Sequence, residues 1–263
     1  MKEQAHQKLN VGCGHDYRQG YVNVDLHQRH KPDVVADVLD LVSFPTAFYE
    51  ELVAQDVLEH VTRADVRKAL FEWNRVLKVG GRIFIRTTEL GGLVRALEAP
   101  EHQGIDDQER LIQNVFGTQA YTGDFHLSGF TEPLFRFYMW EAGFEVESLT
   151  LTCGAFLDAW GHKVRDLGFG RLEKPVGNEA FVRSAFVELL GHQPSPDELR
   201  AELATLEAPH WRRRTIMKLL LSDEYKAAVR RQQAPVFPRT LHQRGLLYRA
   251  ARRAKRLVVK VLR

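Results

Sequence analysis

The sequence predicts an α/β protein: an open, mainly parallel sheet, then a small all-helical unit, then a basic amphipathic segment at the C-terminus. Three observations predict it. Up to about residue 152, short apolar runs that end in glycine or an acid alternate with helical patterns. From Asn178 onward only helical periodicity remains. Residues 239–263 hold nine lysines and arginines and no acids, so the rest of a chain of net charge +3 stands at −6.

The bulk numbers set the class. A length of 263 residues suits one large or two small domains, and 44% hydrophobic with 27% charged residues is soluble globular composition. No apolar run approaches the ~20 residues of a bilayer span. Met1-Lys2-Glu3-Gln4-Ala5-His6 lacks the apolar core of a signal peptide. Two cysteines, Cys13 and Cys153, build neither a disulfide framework nor a cysteine-rich zinc site. The expected location is cytoplasmic, and no metal site is expected.

Lys8-Leu9-Asn10-Val11-Gly12-Cys13-Gly14 reads as a buried strand breaking into a tight loop where backbone can approach a ligand. Tyr21-Val22-Asn23-Val24-Asp25 reads as its neighbour, with a carboxylate at the C-terminal tip. Ligands bind at that edge of an open α/β sheet, and an acid after the second strand is placed to bond ribose hydroxyls. A nucleoside-containing cofactor follows, with a plain strand-terminating turn as the competing reading. Only His15-Asp16-Tyr17-Arg18-Gln19-Gly20 separates the glycines from the next strand, which leaves no room for a crossover helix. A dinucleotide needs that helix N-terminus for its pyrophosphate. S-adenosylmethionine carries a ribose and an adenine without pyrophosphate, so the spacing favours it over NAD.

Asp33-Val34-Val35-Ala36-Asp37-Val38 follows as a third strand, and 44–49 as a connector or short helix. A fourth strand spans 51–57 and runs into Leu58-Glu59-His60-Val61. Thr62 and Asp65 cap a helix carrying Val66, Leu70, Trp73 and Leu77, which Gly80-Gly81 would stop. A fifth strand covers 82–87. Within 89–130 only a helix at 107–115 is legible, followed by a polar, glycine-punctuated stretch. Thr131-Glu132-Pro133 opens a helix ending at Gly143, and 144–152 is the next strand. The first domain is expected to be 1–160, the helical domain 178–233 and the tail helix 239–263. Ser195-Pro196-Asp197-Glu198 marks a helix start within the helical unit. On a helical wheel, 246–263 separates Leu246, Leu247, Ala250, Leu257 and Val261 from Arg249, Arg252, Arg253, Arg256 and Lys260. Such a helix suits an anionic membrane surface, each cation being worth about 1 kcal/mol there; a helix packed on its own domain is the other reading.

Five segments together resemble a class I S-adenosylmethionine-dependent methyltransferase. Leu9-Asn10-Val11-Gly12-Cys13-Gly14 resembles its glycine motif, Val24-Asp25 its ribose-binding acid, and Ala36-Asp37-Val38-Leu39 its adenine-contacting turn. Asp56-Val57-Leu58-Glu59-His60-Val61 resembles the segment after the fourth strand, and Leu77-Lys78-Val79-Gly80-Gly81 the turn before the fifth. The resemblance implies a Rossmann-like sheet and the cofactor S-adenosylmethionine. Its contacts would be Asn10, Gly12, Cys13, Gly14, Asp25, Asp37, Val38, Asp56 and Val57. It points to bacterial enzymes of surface-polysaccharide synthesis. Residues 178–233 resemble a helical domain appended to bacterial glycosyltransferases and methyltransferases.

Methyl transfer needs alignment and desolvation, plus a base when the acceptor is an alcohol. His126, in Gly123-Asp124-Phe125-His126, is the candidate base, with Asp124 or Asp106 to orient it or act alone. A loop histidine that only bonds backbone is the competing reading. His60 reads as part of a helix start. His15, Tyr17 and Tyr121 are candidate pocket linings. The expected acceptor is a sugar hydroxyl of a surface glycan or its lipid-linked precursor. The alternatives are a small-molecule acceptor, or a cofactor-binding scaffold without turnover. Expected partners are an anionic membrane through 239–263 and glycan-assembly proteins through 178–233. Nucleic acid is disfavoured: no Asn/Asp-Pro-Pro-aromatic motif is present, and the cations lie far in sequence from the site.

Overall fold

The computed structural model describes residues 7–121, 123–174 and 177–231. In chain order its sheet and flanking helices are β1 (Lys8–Val11), β2 (Val22–Asp25), β3 (Val34–Val35), β4 (Tyr49–Gln55), α1 (Val66–Val76) and β5 (Leu77–Thr88). Then come α2 (Leu90–Leu97), α3 (Ile105–Phe116), α4 (Glu132–Glu141), β6 (Phe144–Thr152) and β7 (Phe156–Lys163). The helical part is α5 (Phe169–Leu172), α6 (Asn178–Leu190), α7 (Pro196–Leu203), α8 (Trp211–Leu221) and α9 (Asp223–Arg231). The strand order is β3-β2-β1-β4-β5-β7-β6. The first five are parallel, and β7 runs antiparallel to both of its neighbours. This is the expected Rossmann-like α/β sheet.

β1 and β2 pair in parallel with no helix between them, as the spacing predicts. Two buried asparagines take over the bonding that a helix would supply from its own backbone. Asn10 Nδ2 donates to the Asp16 carbonyl (2.6 Å) and to Asn23 Oδ1 (3.0 Å). Asn23 Oδ1 also accepts the Arg18 amide at 2.8 Å. Buried backbone groups must find partners somewhere, and here two side chains provide them.

Several boundaries differ from the sequence reading. The third strand is only Val34–Val35, and 44–48 is a turn with Ala47 at φ 52° that leads directly into β4 at Tyr49. α1 stops at Leu77, which is already extended, and Gly80-Gly81 lies inside the twelve-residue β5. Helix α2 was hidden by its own Gly91-Gly92; the Glu89 side chain caps it by accepting the Gly92 amide. Strand β7 was not anticipated. It crosses residue 160 and ends at Lys163. Cys153 (φ 52°) and Gly154 (φ 76°) make the positive-φ turn that a hairpin favours, and this joins β6 to β7.

Helices α5–α9 pack on the sheet domain. One continuous apolar core runs from Leu9, Leu52 and Ile83 in the sheet through Phe71 and Trp73 of α1 to Phe181, Ile216 and Tyr225. Arg213 of α8 donates to the Val42 carbonyl (2.8 Å) and to Glu173 (2.9 Å). A cleft of about 590 Å³ lined by Leu167, Arg171, Glu188, Leu189, Tyr225 and Val229 lies along this seam, and no residue of the sheet's C-terminal rim lines it. Among the described residues no helix is long and apolar enough to cross a membrane. The expected tail helix at 239–263 lies outside the described residues.

Candidate functional site

The rim formed by the C-terminal ends of β1, β2 and β4 carries the glycine loop. Gly12 has φ +63°, and a Cβ there would meet Val57 Cγ2 at 2.5 Å. Only glycine lets β1 turn this close to β4. Gly14 has φ +49° with nothing within 4 Å of its Cβ position, so its backbone faces open space.

Asp25 clasps this loop. Its Oδ2 accepts the Gly14 amide (2.8 Å), while Oδ1 accepts the His27 amide (2.8 Å) and lies 3.0 Å from His30 Nδ1. Burial pushes this carboxyl up, but the bonds from His27, Gly14 and His30 prevail and hold it below its ordinary value. Oδ2 keeps a second lone pair for a ribose hydroxyl. His15 packs edge-on against His30 at 4.9 Å, and Arg29 lies 3.8 Å over the Tyr121 ring. Tyr17 instead donates to Asp33 at 2.7 Å and ties the loop to the start of β3.

The other expected cofactor contacts fall along the same rim with differing freedom. Asn10 is consumed by the loop contacts above. The Cys13 thiol is buried; burial first, then Asp25 and Asp33, push it up to about 11, so it stays a neutral thiol. Asp37 is exposed and accepts the Leu39 amide (2.9 Å), while the Val38 carbonyl accepts Trp73 Nε1 (3.2 Å). Asp56 turns at φ +54°, a conformation strained for a non-glycine residue, and its amide bonds the Arg86 carbonyl at 3.1 Å.

Next to Asp56 a 3-10 turn (Leu58–His60) meets the segment 125–128. The Glu59 carbonyl accepts the Leu127 and Ser128 amides (2.7 and 3.1 Å), and Ser128 Oγ donates to the Leu58 carbonyl (2.9 Å). This brings His60 and His126 into edge-to-face contact, with ring centroids 4.8 Å apart. His126 is half-buried, and its Nδ1 lies 3.0 Å from the Asn114 carbonyl. Burial, then the neighbouring His60, lowers its pKa, so the ring is neutral at pH 7.

Asp124, expected to orient His126, makes no bond to the ring. Its carboxylate accepts the Thr118 hydroxyl in its own turn, and the Asn114 carbonyl holds the histidine instead. Asp106 lies exposed in the first turn of α3.

The sequence reading placed Glu59 and His60 at a helix start and gave neither a partner. His60 is 66 positions from its partner, and no local pattern signals a pair. Glu59 is 1% exposed and accepts Thr87 Oγ1 at 3.0 Å. Burial, joined by Asp56, raises its pKa to about 8. It is a neutral acid beneath the rim at pH 7.

Residues 5–85 match the family model described as a methyltransferase domain. No curated protein matches the chain in sequence. Solved structures similar to it include an S-adenosylmethionine-dependent methyltransferase of Methanosarcina mazei, 18% identical, covering 60% of this chain and 92% of that one with TM-score 0.45. Another is the 1,6-didemethyltoxoflavin-N1-methyltransferase of Burkholderia thailandensis, solved with S-adenosylhomocysteine, at 16% identity, 60% and 71% coverage and TM-score 0.41. A third is an S-adenosylmethionine-dependent methyltransferase of Mesorhizobium loti, at 16%, 59% and 90%, with TM-score 0.42. The matched stretch runs from ahead of β1 into β5 and contains the whole glycine rim. The residues present fit S-adenosylmethionine: a glycine turn closed against β4, an open Gly14 backbone, and a buried carboxylate with spare acceptor capacity.

Proposed function

Starting from an S-adenosylmethionine-dependent methyltransferase domain on this rim, we propose that the chain O-methylates a sugar hydroxyl of a bacterial surface glycan or its lipid-linked precursor. The observation that carries the catalytic part is the placement of a half-buried, neutral histidine beside the strained end of β4. When bound, S-adenosylmethionine supplies an electrophilic methyl group on a sulfonium. Asp25 and the Gly12–Gly14 backbone would hold the adenosyl part, with Asp37 and Val38 toward the adenine. Asp56 and Val57 would lie toward the sulfonium end. The segment 125–128 is bonded to the 58–60 turn beside that end. His126 receives the proton that a hydroxyl must lose.

The glycan acceptor is supported by the resemblance of 178–233 to domains appended to glycosyltransferases. The acid-free cationic segment 239–263 would hold the enzyme on the anionic inner face of the plasma membrane, where lipid-linked glycans are assembled. On this reading α6–α9 offer the surface that meets other glycan-assembly proteins.

The test incubates the purified full chain with labelled S-adenosylmethionine and a lipid-linked glycan fraction. Label in the glycan supports the reading. Methylation of a free small metabolite with none in the glycan overturns it. Flotation with anionic vesicles, with and without 239–263, checks the tail.

A further inference from the structure

We propose that His60 and His126 work as a pair, His126 Nε2 being the base that receives the acceptor's proton and His60 its positioning residue, so that the acceptor is an X–H group, a hydroxyl above all, rather than a lone-pair nucleophile with no proton to lose. The inference rests on the methyltransferase reading and adds a positioning residue to its site.

The hydrogen bonds determine the tautomers. His60 Nδ1 faces the Phe125 carbonyl at 3.2 Å and His126 Nδ1 faces the Asn114 carbonyl at 3.0 Å. A carbonyl only accepts, so each Nδ1 must carry a hydrogen, and in the neutral form of the ring Nε2 is left with a bare lone pair. The two rings meet edge to face at 4.8 Å and an interplanar angle of 82°. Each is anchored through the other's neighbourhood: His60 holds the backbone immediately before His126, and Leu127, just after it, bonds back to Glu59 beside His60. The cross-links leave little rotational freedom to either imidazole. Two like bases in contact cannot both be protonated cheaply.

The groups facing His126 are His60 from the turn after β4, the Asn114 carbonyl of α3 and Asp124 on its own loop. His60 works against the protonated ring and Asp124 in favour of it, with burial dominant. In the reaction the acceptor O–H bond breaks as the new C–O bond forms, and the electron pair of the old C–S bond leaves with sulfur as a neutral thioether. The proton passes to His126 Nε2, giving an imidazolium that returns it to solvent after product release.

The experiment uses the full chain with ¹⁵N-labelled histidine. In the neutral form both rings should show the Nδ1–H tautomer, and His126 should titrate below an ordinary imidazole. His60→Phe keeps a ring in contact but removes the second base, so the His126 midpoint should move up. With the glycan fraction as probe, the acid limb of kcat/KM should move up in pH by the same amount. His126→Gln should lose transfer by about 10²–10⁴-fold, with S-adenosylhomocysteine binding unchanged in both variants. If His60→Phe fails to fold, His60→Gln, whose amide can still donate to Phe125, takes its place. An Nε2–H tautomer in either ring, an unmoved midpoint in the folded variant, or full transfer by His126→Gln would overturn the pairing. If wild type binds S-adenosylhomocysteine but leaves the glycan unlabelled, the glycan reading falls, and the tautomers and midpoints still decide the pair.

Discussion

Gly12→Ala places a methyl group where β1 turns against β4. Two costs add. An alanine held at φ +63° pays about 1–2 kcal/mol for the left-handed conformation. Its Cβ would stand 2.5 Å from Val57 Cγ2 and 2.9 Å from Cγ1, so Val57 or the loop must shift, at about 1–3 kcal/mol for overpacking. The expected loss is therefore about 2–5 kcal/mol. Gly14→Ala supplies the control: φ is +49° and nothing lies within 4 Å, so only the conformational cost of about 1–2 kcal/mol applies. Urea unfolding of both variants measures the difference, and calorimetry with S-adenosylhomocysteine reads the consequence at the rim. Gly12→Ala should lose cofactor binding along with stability, because the displaced loop carries the Gly14 amide that Asp25 clasps. Adding Val57→Ala removes both offending carbons, and a double-mutant cycle should return about 1–3 kcal/mol of favourable coupling. Equal destabilisation by Gly12→Ala and Gly14→Ala, or no coupling with Val57→Ala, would refute the close packing of the two strand ends.

Further expectations follow from the buried groups. The Glu59 pKa lies at about 8 in the fold, so the folded chain binds the extra proton and stability should decline as pH rises from about 4.5 to about 8. At about 1.4 kcal/mol per pH unit the ceiling is about 5 kcal/mol, and Glu59→Gln should flatten the slope in unfolding curves run across that range. The Asp25 carboxyl is depressed, so its contribution holds above the ordinary carboxylate range and fades as pH falls through the lower folded value. Asp25→Ala orphans the Gly14 and His27 amides at about 1–3 kcal/mol each, visible in denaturant midpoints, and should abolish S-adenosylhomocysteine binding. Phe181→Ala in α6 should cost about 3–5 kcal/mol and lower one shared thermal transition. Two separate transitions would show that the helices fold apart from the sheet.

The glycine rim was legible because its signals are local. Gly12, Gly14 and Asp25 lie within fourteen residues, and each sits where backbone geometry restricts the choice of residue. The missing crossover helix was legible by counting, and Asn10 and Asn23 show how the chain manages without it. Strand β7 was not legible, since its alternating half-buried residues follow a turn with Cys153 rather than asparagine or aspartate at a positive φ. Gly80-Gly81 misled because glycine stops helices and bends strands alike.

Local sequence, through strand periodicity and the conformational demands of glycine, determined the α/β class, the glycine rim and the helical C-terminal third. Tertiary structure alone decided that His60 meets His126, that the Asn114 carbonyl rather than Asp124 holds the His126 ring, and that Glu59 stays protonated beneath the rim. The physical reason is range: propensity and spacing act over a few residues, whereas tautomer, burial and charge state depend on groups that only folding brings within a few ångströms.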